Sequence, residues 1–206
     1  MAVQLSRTDR KRAAITEAAT ALFLRDGYRG TSMEEIAGAA GVSKQTVYKQ
    51  FAHKEQLFSH VVQALVSQAS DPVHEAVRKV DLAAEVDVEL RAIARRQLEL
   101  VLQPTLMQLR RLVIAEARHF PELGKVFFDQ GPRRAIDALA ATFGHLAERG
   151  VLKIDDPKAA ATQFNWLLMG EPLNRAMLLG LEEPPPAREL DRWATTAVDT
   201  FLAAFG

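Results

Sequence analysis

Residues 31–58 read TSMEEIAGAAGVSKQTVYKQFAHKEQLF, and this stretch decides the fold of the first part of the chain. Ser32 and Glu35 have the S-x-x-E spacing of a capping box, in which the two side chains satisfy free amides at the start of a helix. Gly41 suits the left-handed backbone turn that ends a helix, and Ser43 is a preferred cap for the next helix. The stretch therefore predicts two short helices joined by a tight turn.

The spacing places these two helices over 33–40 and 44–50. Ala37 is small enough to let the second helix approach the first closely, while Val47 and Phe51 are expected to point inward from the second helix. This arrangement is a helix-turn-helix pattern, in which the first helix braces the second against the major groove of DNA.

The outward side of the second helix carries side chains that suit DNA. Lysines supply charge for phosphates, whereas amide, hydroxyl and aromatic groups suit base edges. The residues concerned, called the recognition residues below, are Lys44, Gln45, Thr46, Tyr48 and Lys49. Tyr48 also fits a half-buried packing position, and the basic run Arg10–Arg12 fits either a phosphate contact or a solvated helix face.

Composition narrows the class of protein. The chain has 206 residues, 48% of them hydrophobic, no cysteine and a formal net charge of zero. Such a chain can bury a core, and it has no disulfide, thiolate metal site or thiol nucleophile. No apolar run approaches the roughly 20 residues of a membrane span, so we expect a cytoplasmic protein with no membrane partner. Enzyme motifs such as G-x-G-x-x-G and G-x-S-x-G are absent from the sequence.

The zero net charge hides a gradient along the chain. Residues 1–60 carry nine basic and six acidic side chains, a net charge of +3, which leaves −3 for the remainder. The positive part coincides with the helix-turn-helix pattern, as expected of a segment that binds phosphates.

Apolar residues recur at spacings of three and four, which predicts an all-α fold of about nine helices. The first helix is expected over 8–26 and a connecting helix over 54–75. Further helices are predicted over 85–102, 105–118, 122–149 and 157–180, with a last one after the Pro184–Pro186 run. We expect an N-terminal three-helix domain over 1–55 and a second helical domain over 56–206.

One family pattern accounts for many positions between about residues 10 and 60. The matching positions are Gly27-Tyr28, Thr31, Ile36-Ala37, Ala40 to Ser43, Tyr48, Phe51, Lys54-Glu55 and Leu57-Phe58. With these residues the segment resembles the N-terminal domain of the TetR family of bacterial transcriptional regulators. Gln45 stands where many relatives carry Gly, Pro or Ala, which leaves the operator sequence open.

The resemblance implies that Ser43 and the recognition residues contact DNA. It also implies that Thr31 and Ser32 meet phosphates at the start of the bracing helix, and that Lys54 meets one at the start of the fourth helix. For the second domain, the resemblance implies ligand binding and dimerisation.

The second domain is rich in large apolar side chains, which line most ligand sites together with a few polar groups. The predicted pocket consists of Leu98, Leu102, Met107, Arg110, Phe127, Phe128, Phe164, Asn165, Leu168 and Met169. Each aromatic residue also fits a plain core position. The five histidines show no metal-ligand spacing, so we expect neither a metal nor a cofactor.

The last helix has a wide apolar stripe that suits either the core or a partner chain. Together with the preceding helix it predicts a dimer interface containing Phe164, Leu190, Trp193, Ala197, Val198 and Phe201. A homodimer also follows from recognition geometry, because one helix-turn-helix contacts only a few base pairs and two-fold dimers read palindromic half-sites.

The sequence thus predicts a repressor that leaves its palindromic double-stranded DNA operator when a small apolar or aromatic effector binds. Two alternatives stay open: a helical DNA-binding adaptor without an effector, and an enzyme with an accessory DNA-binding domain.

Overall fold

Ten α-helices and one π-helical turn make up the described part of the chain. The computed structural model describes residues 6–78, 85–180 and 183–206, without the side chains of 69–78, and this part contains no strand. The helices are α1 (Arg7–Gly30), α2 (Met33–Ala39), α3 (Lys44–Gln50), α4 (Lys54–Arg78), α5 (Val86–Val101), α6 (Pro104–Glu116), α7 (Pro121–Phe128), α8 (Arg134–Glu148), α9 (Pro157–Leu179) and α10 (Ala187–Phe205).

The π-helical turn Asp129–Arg133 joins α7 to α8 without a break. Pro132 lies within this turn, and its missing amide accounts for the local departure from α-helical bonding. Counting α7, the turn and α8 as one helix gives nine helices in the described ranges. The prediction of an all-α fold with about nine helices is therefore confirmed.

Local signals set where the helices begin and end. Gly27 adopts a φ of 76° inside α1, so the first regular run ends where the sequence predicts. Pro104, Pro121 and Pro157 each occupy the first position of a helix, where a missing amide costs nothing.

The first compact unit comprises Met1–Leu65 and Gln108–Val126. Its centre is an aromatic cluster in which the ring of Phe58 lies 4.9 Å from that of Phe23 and 4.8 Å from that of Tyr28. Phe120 lies 4.8 Å from Tyr28, so the segment around the end of α6 shares this core. The division at residue 55 that the sequence suggests falls inside this unit, because Phe58 of α4 packs with α1.

The second unit comprises Val66–Met107 and Phe127–Gly206. In it α8 packs against α9, and α10 packs against α5 and α9. The ring of Phe143 lies 5.7 Å from Phe164 and 4.8 Å from Phe201, and all three side chains are fully buried. Because burying one such side chain contributes about 1.5–3 kcal/mol, this triad is a main source of stability for the unit.

Candidate DNA-binding and effector sites

The start of α2 is fixed by the capping box that the sequence predicts. Ser32 Oγ accepts a hydrogen bond from the amide of Glu35 at 3.2 Å, and Glu35 Oε2 accepts one from the amide of Ser32 at 2.8 Å. The Ser32 hydroxyl also donates to Glu35 Oε2 at 2.8 Å, and these bonds lower the pKa of the Glu35 carboxyl. A phosphate contact at Ser32, which remains a prediction, would have to replace these bonds.

The turn between α2 and α3 sets the angle at which α3 leaves. Gly41 has a φ of 64°, a conformation that L side chains rarely adopt, and the amide of Val42 bonds to the carbonyl of Ala37 at 3.0 Å. Ser43 Oγ then accepts a hydrogen bond from the amide of Thr46 at 3.2 Å and caps α3. Ser43 is thus a structural cap, and its DNA contact stays a prediction.

Helix α3 divides into a buried side and an exposed side. Val47 is fully buried, and Phe51, which follows the helix, is 1% exposed. The recognition residues Lys44, Gln45, Tyr48 and Lys49 are exposed, whereas Thr46 is half-buried. Tyr48 is 42% exposed, a value that fits both the half-buried packing position and the DNA contact that the sequence leaves open.

The phosphate contacts that the resemblance implies for Thr31 and Lys54 stay predictions, and both side chains have partners within the first unit. Thr31 is 2% exposed, and its hydroxyl donates to the carbonyl of Gly27 at 2.9 Å. Lys54 Nζ donates to the carbonyls of Tyr28 and Thr31 at 3.0 and 2.9 Å and lies 4.3 Å from the centre of the Tyr28 ring. Both side chains therefore fasten the turn between α1 and α2, and the ammonium group ties the start of α4 to it.

An ion pair links the first turns of the two helices of the motif. Lys44 Nζ pairs with Glu34 Oε1 and lies 5.8 Å from the centre of the Tyr48 ring. The hydrogen bond between the two lowers the pKa of the Glu34 carboxyl and raises that of Lys44. No local sequence pattern predicts the pairing of Glu34, because its neighbour depends on how α2 and α3 cross.

The basic run at the start of α1 is partly used in packing. The guanidinium of Arg12 lies 4.5 Å from the centre of the Phe51 ring, whose other neighbour is the His60 ring at 5.3 Å. Burial, and secondarily the charge of Arg12, lowers the pKa of His60. Arg12 therefore packs against Phe51 at the C-terminal end of α3.

Most of the predicted pocket residues form a packed core in the second unit. Six of them belong to one buried apolar cluster: Leu98, Leu102, Met107, Phe164, Leu168 and Met169. Phe127 is also buried, whereas Phe128 is 45% exposed, with the guanidinium of Arg133 5.3 Å from its ring. Arg110 belongs to the first unit, where burial lowers its pKa.

A buried polar pair lies on the apolar sides of α5 and α9. Gln97 Nε2 donates to Asn165 Oδ1 at 3.0 Å, and the two residues are 2% and 4% exposed. Gln97 Oε1 is buried without a hydrogen-bond partner. An unpaired buried carbonyl costs about 1–3 kcal/mol, so this oxygen marks a position where a donor would be stabilising. The sequence signal, which was missed, is a glutamine among Ile93, Ala94 and Leu98 on the apolar side of α5.

Most of the residues in the predicted dimer interface are buried within one chain, and their contact with a partner stays a prediction. Phe164, Val198 and Phe201 are fully buried, and Leu190 and Ala197 are at most 5% exposed, while Trp193 is half-buried. These side chains pack between α5, α8, α9 and α10 of a single chain, which leaves them little surface to offer a partner. The exposed apolar side chains of α9 are Trp166, Leu167, Leu178 and Leu179, at 51%, 46%, 81% and 77%.

A surface groove of about 430 Å³ lies beside the same core. It runs between α5 and the start of α10, and its lining includes Arg95, Arg96, Glu99 and Pro184. Arg95 pairs with Glu99 and Asp191 at 3.3 and 2.7 Å, so the charges in this groove largely compensate each other.

Two general findings concern metals and membranes. Within the described ranges, no three acidic or histidine side chains gather in a way that would hold a metal ion. None of the described helices combines the length and the apolar character that a membrane crossing requires.

Two family models match the chain. Residues 88–206 match the model for the C-terminal domain of AefR-like transcriptional repressors, and residues 15–61 match the model for bacterial regulatory proteins of the tetR family. The first match covers more than half of the chain.

Solved structures and sequence relatives agree with these matches. A TetR-family transcriptional regulator from Mesorhizobium loti is 39% identical, with a TM-score of 0.90 and coverage of 98% of this chain and 100% of the other. The flavonoid-responsive regulator FrrA is 32% identical, with a TM-score of 0.79, and the match covers 96% of this chain and 97% of FrrA. YhgD, an uncharacterized HTH-type transcriptional regulator of Bacillus subtilis, is 27% identical over 85% of this chain and 93% of its own length.

Proposed function

Because this chain belongs to the TetR family of bacterial transcriptional regulators, we propose that it acts as a ligand-responsive repressor. A homodimer binds a palindromic operator in the cytoplasm, and a small aromatic molecule releases it. The observation that carries the proposal is the exposed side of α3, which presents Lys44, Gln45, Tyr48 and Lys49 from a helix braced by buried Val47. Such a helix fits the major groove and offers both charge and hydrogen-bonding groups.

We assign the dimer contact to the outward side of α9. Trp166, Leu167, Leu178 and Leu179 are exposed there, and large apolar side chains are costly to leave in water. Trp166→Glu is expected to shift the protein from dimer to monomer in sedimentation experiments, because it places a charge in the contact. Ile114→Glu is the control, since Ile114 is 60% exposed on α6 of the other unit. A Trp166 variant that stays dimeric would remove the assignment.

The effector is assigned to the core around Gln97 and Asn165. The unpaired Gln97 Oε1 would accept a hydrogen bond from a hydroxyl group, while the surrounding side chains of the predicted pocket would cover aromatic rings. Planar phenols have this combination, and FrrA, described as flavonoid-responsive, is one relative with a similar fold. We therefore propose a hydroxylated aromatic effector, which has to open this packed core in order to bind.

Helices α4 and α6 each have residues in both compact units, so a ligand that shifts either helix also acts on the first unit. At the end of α6, Glu116 lies 3.8 Å from Arg29 Nε of α1, and His119 Nε2 lies 2.8 Å from Arg29 Nη2. Movement of α6 would thereby pull on α1. A ligand shifts such an equilibrium only by its difference in affinity for the two states.

A gel-shift assay tests the proposal with duplexes that the protein itself selects from random sequence. A polyhydroxylated flavonoid is expected to release the duplex, and its fully O-methylated analogue, which keeps the rings but lacks the donors, is expected to release less. Melting temperatures measured with both compounds report binding without DNA. A protein that binds duplex but responds to neither compound would favour the adaptor function, and one that binds no duplex at moderate salt would contradict the proposal.

A further inference from the structure

We propose that Glu34 acts as an electrostatic brake on DNA binding, because it holds Lys44 in an ion pair that a phosphate must displace. The proposal rests on the placement of α3 on DNA. Lys44 and Glu34 lie at the starts of α3 and α2, and their side chains are 58% and 53% exposed. The pair is therefore open to the same solvent, and the same ligands, as the recognition residues.

The ion pair lies close to the exposed side of α3. Lys44 Nζ lies 5.8 Å from the ring of Tyr48, which is itself 42% exposed. A duplex that reaches Tyr48 thus comes close to Lys44 and to the carboxylate that pairs with it. Glu34 cancels one of the two positive charges that α3 carries on Lys44 and Lys49.

Competition between two anions for one ammonium group gives the direction of the effect. A carboxylate and a phosphate bind Lys44 in the same way, so DNA gains this contact only after Glu34 has released it. The released carboxylate then lies near phosphates of like charge, which weakens the complex further. An exposed ion pair contributes little free energy. We therefore expect Glu34 to lower the affinity for DNA by about threefold for each helix-turn-helix and by about tenfold for a dimer.

Salt dependence provides a separate signature. Each lysine that neutralises a phosphate releases condensed cations from DNA, which steepens the fall of affinity with salt. When Lys44 leaves Glu34, the freed carboxylate takes up cations again and offsets part of that release. The slope of the logarithm of affinity against the logarithm of salt concentration is therefore expected to be steeper in Glu34→Gln than in the parent.

Affinity for a random-sequence duplex tests the brake without knowledge of the operator. Glu34→Gln should bind the duplex about threefold more tightly for each helix-turn-helix. Measurements between about 50 and 200 mM salt give the slope of affinity against salt concentration. Glu17→Gln is the matched control, because it removes the same charge from an exposed position on α1 of the same unit. Its affinity should change by less than that of Glu34→Gln.

The variant Lys44→Ala separates the possible outcomes. In the Lys44→Ala background, Glu34→Gln should lose the part of its gain that comes from competition for Lys44 and keep only the part that comes from repulsion between the carboxylate and phosphates. If Lys44→Ala binds duplex as tightly as the parent, the placement of α3 on DNA fails. If Lys44→Ala weakens binding but Glu34→Gln does not tighten it beyond the control, only the brake fails. A Glu34→Gln variant with a lower melting temperature and weaker binding would show a structural role and overturn the proposal.

Discussion

The two compact units both have buried cores, but they differ in how many of their helices begin at a capping side chain. In the first unit, α1, α2 and α3 each begin at a serine whose hydroxyl bonds the helix amides: Ser6, Ser32 and Ser43. In the second unit, Asp156 caps α9, but α5 and α10 begin without a side-chain cap, and α10 is fixed by buried side chains along its length. Capped helices have their ends encoded locally, whereas helices held by packing depend on partners that lie far away in the sequence.

The largest expected effect comes from removing packing in the second unit. Phe201→Ala deletes a fully buried ring that lies 4.8 Å from Phe143 and 5.1 Å from Phe164. We expect a loss of about 3–5 kcal/mol in the free energy of unfolding, measured by urea denaturation. Thr195→Ala, at an exposed position of the same helix, should change it by less than about 0.5 kcal/mol. A small loss for Phe201→Ala would indicate that the ring serves a partner chain instead of the core.

A backbone effect of intermediate size tests the first unit. Gly41→Ala meets no atom within 4 Å, so its cost of about 1–2 kcal/mol comes from the φ of 64° alone. Gly38→Ala, in the last turn of α2, is the control. An added Cβ at Gly38 also meets no atom within 4 Å, but the φ of Gly38 is not positive. It should stabilise the protein by about 0.5–1 kcal/mol. Equal effects of the two changes in urea denaturation would contradict the role of the turn.

The sequence predicts where helices begin and end better than it predicts which side chains they pack against. The ends of α2 and α3 agree with the predicted ranges to within one residue, because Ser32, Glu35 and Ser43 act on amides three positions away. The sequence also predicts the apolar stripe of α10, but it does not show whether the stripe packs against the same chain or against a partner. The stripe therefore predicts a dimer contact for Phe201 as readily as the core position in its own chain, where it is fully buried.

Long polar side chains also have partners within the chain that no local pattern predicts. Lys54 and Thr31 carry the right chemistry for phosphates, yet both bond to backbone carbonyls of their own unit. The partners of such side chains depend on how helices cross, which also hid the pairing of Glu34 with Lys44. Burial of Gln97 could have been suspected from its apolar neighbours on α5, whereas its bond to Asn165 could not.

The smallest expected effect is a pH dependence within the first unit. The pKa of His60 is lowered from the ordinary value of 6.5 by burial and then by Arg12, so the folded state binds fewer protons than the unfolded state just below pH 6.5. The free energy of unfolding should therefore fall as pH drops through this window toward the lowered pKa. His60→Gln should remove this part of the slope in urea denaturation at several pH values. His53→Gln, an exposed neighbour in sequence, should keep it, and identical slopes for both variants would contradict the assignment.

The proposed function depends above all on the exposed side of α3, which is proposed to read DNA. The most direct measurement is the affinity of Tyr48→Ala for a duplex selected by the parent protein, with Ile114→Ala as the control for loss of an exposed apolar side chain from the same unit. We expect Tyr48→Ala to bind more weakly by about 1–3 kcal/mol per half-site. The control should bind as the parent does. An unchanged affinity of Tyr48→Ala would contradict the account.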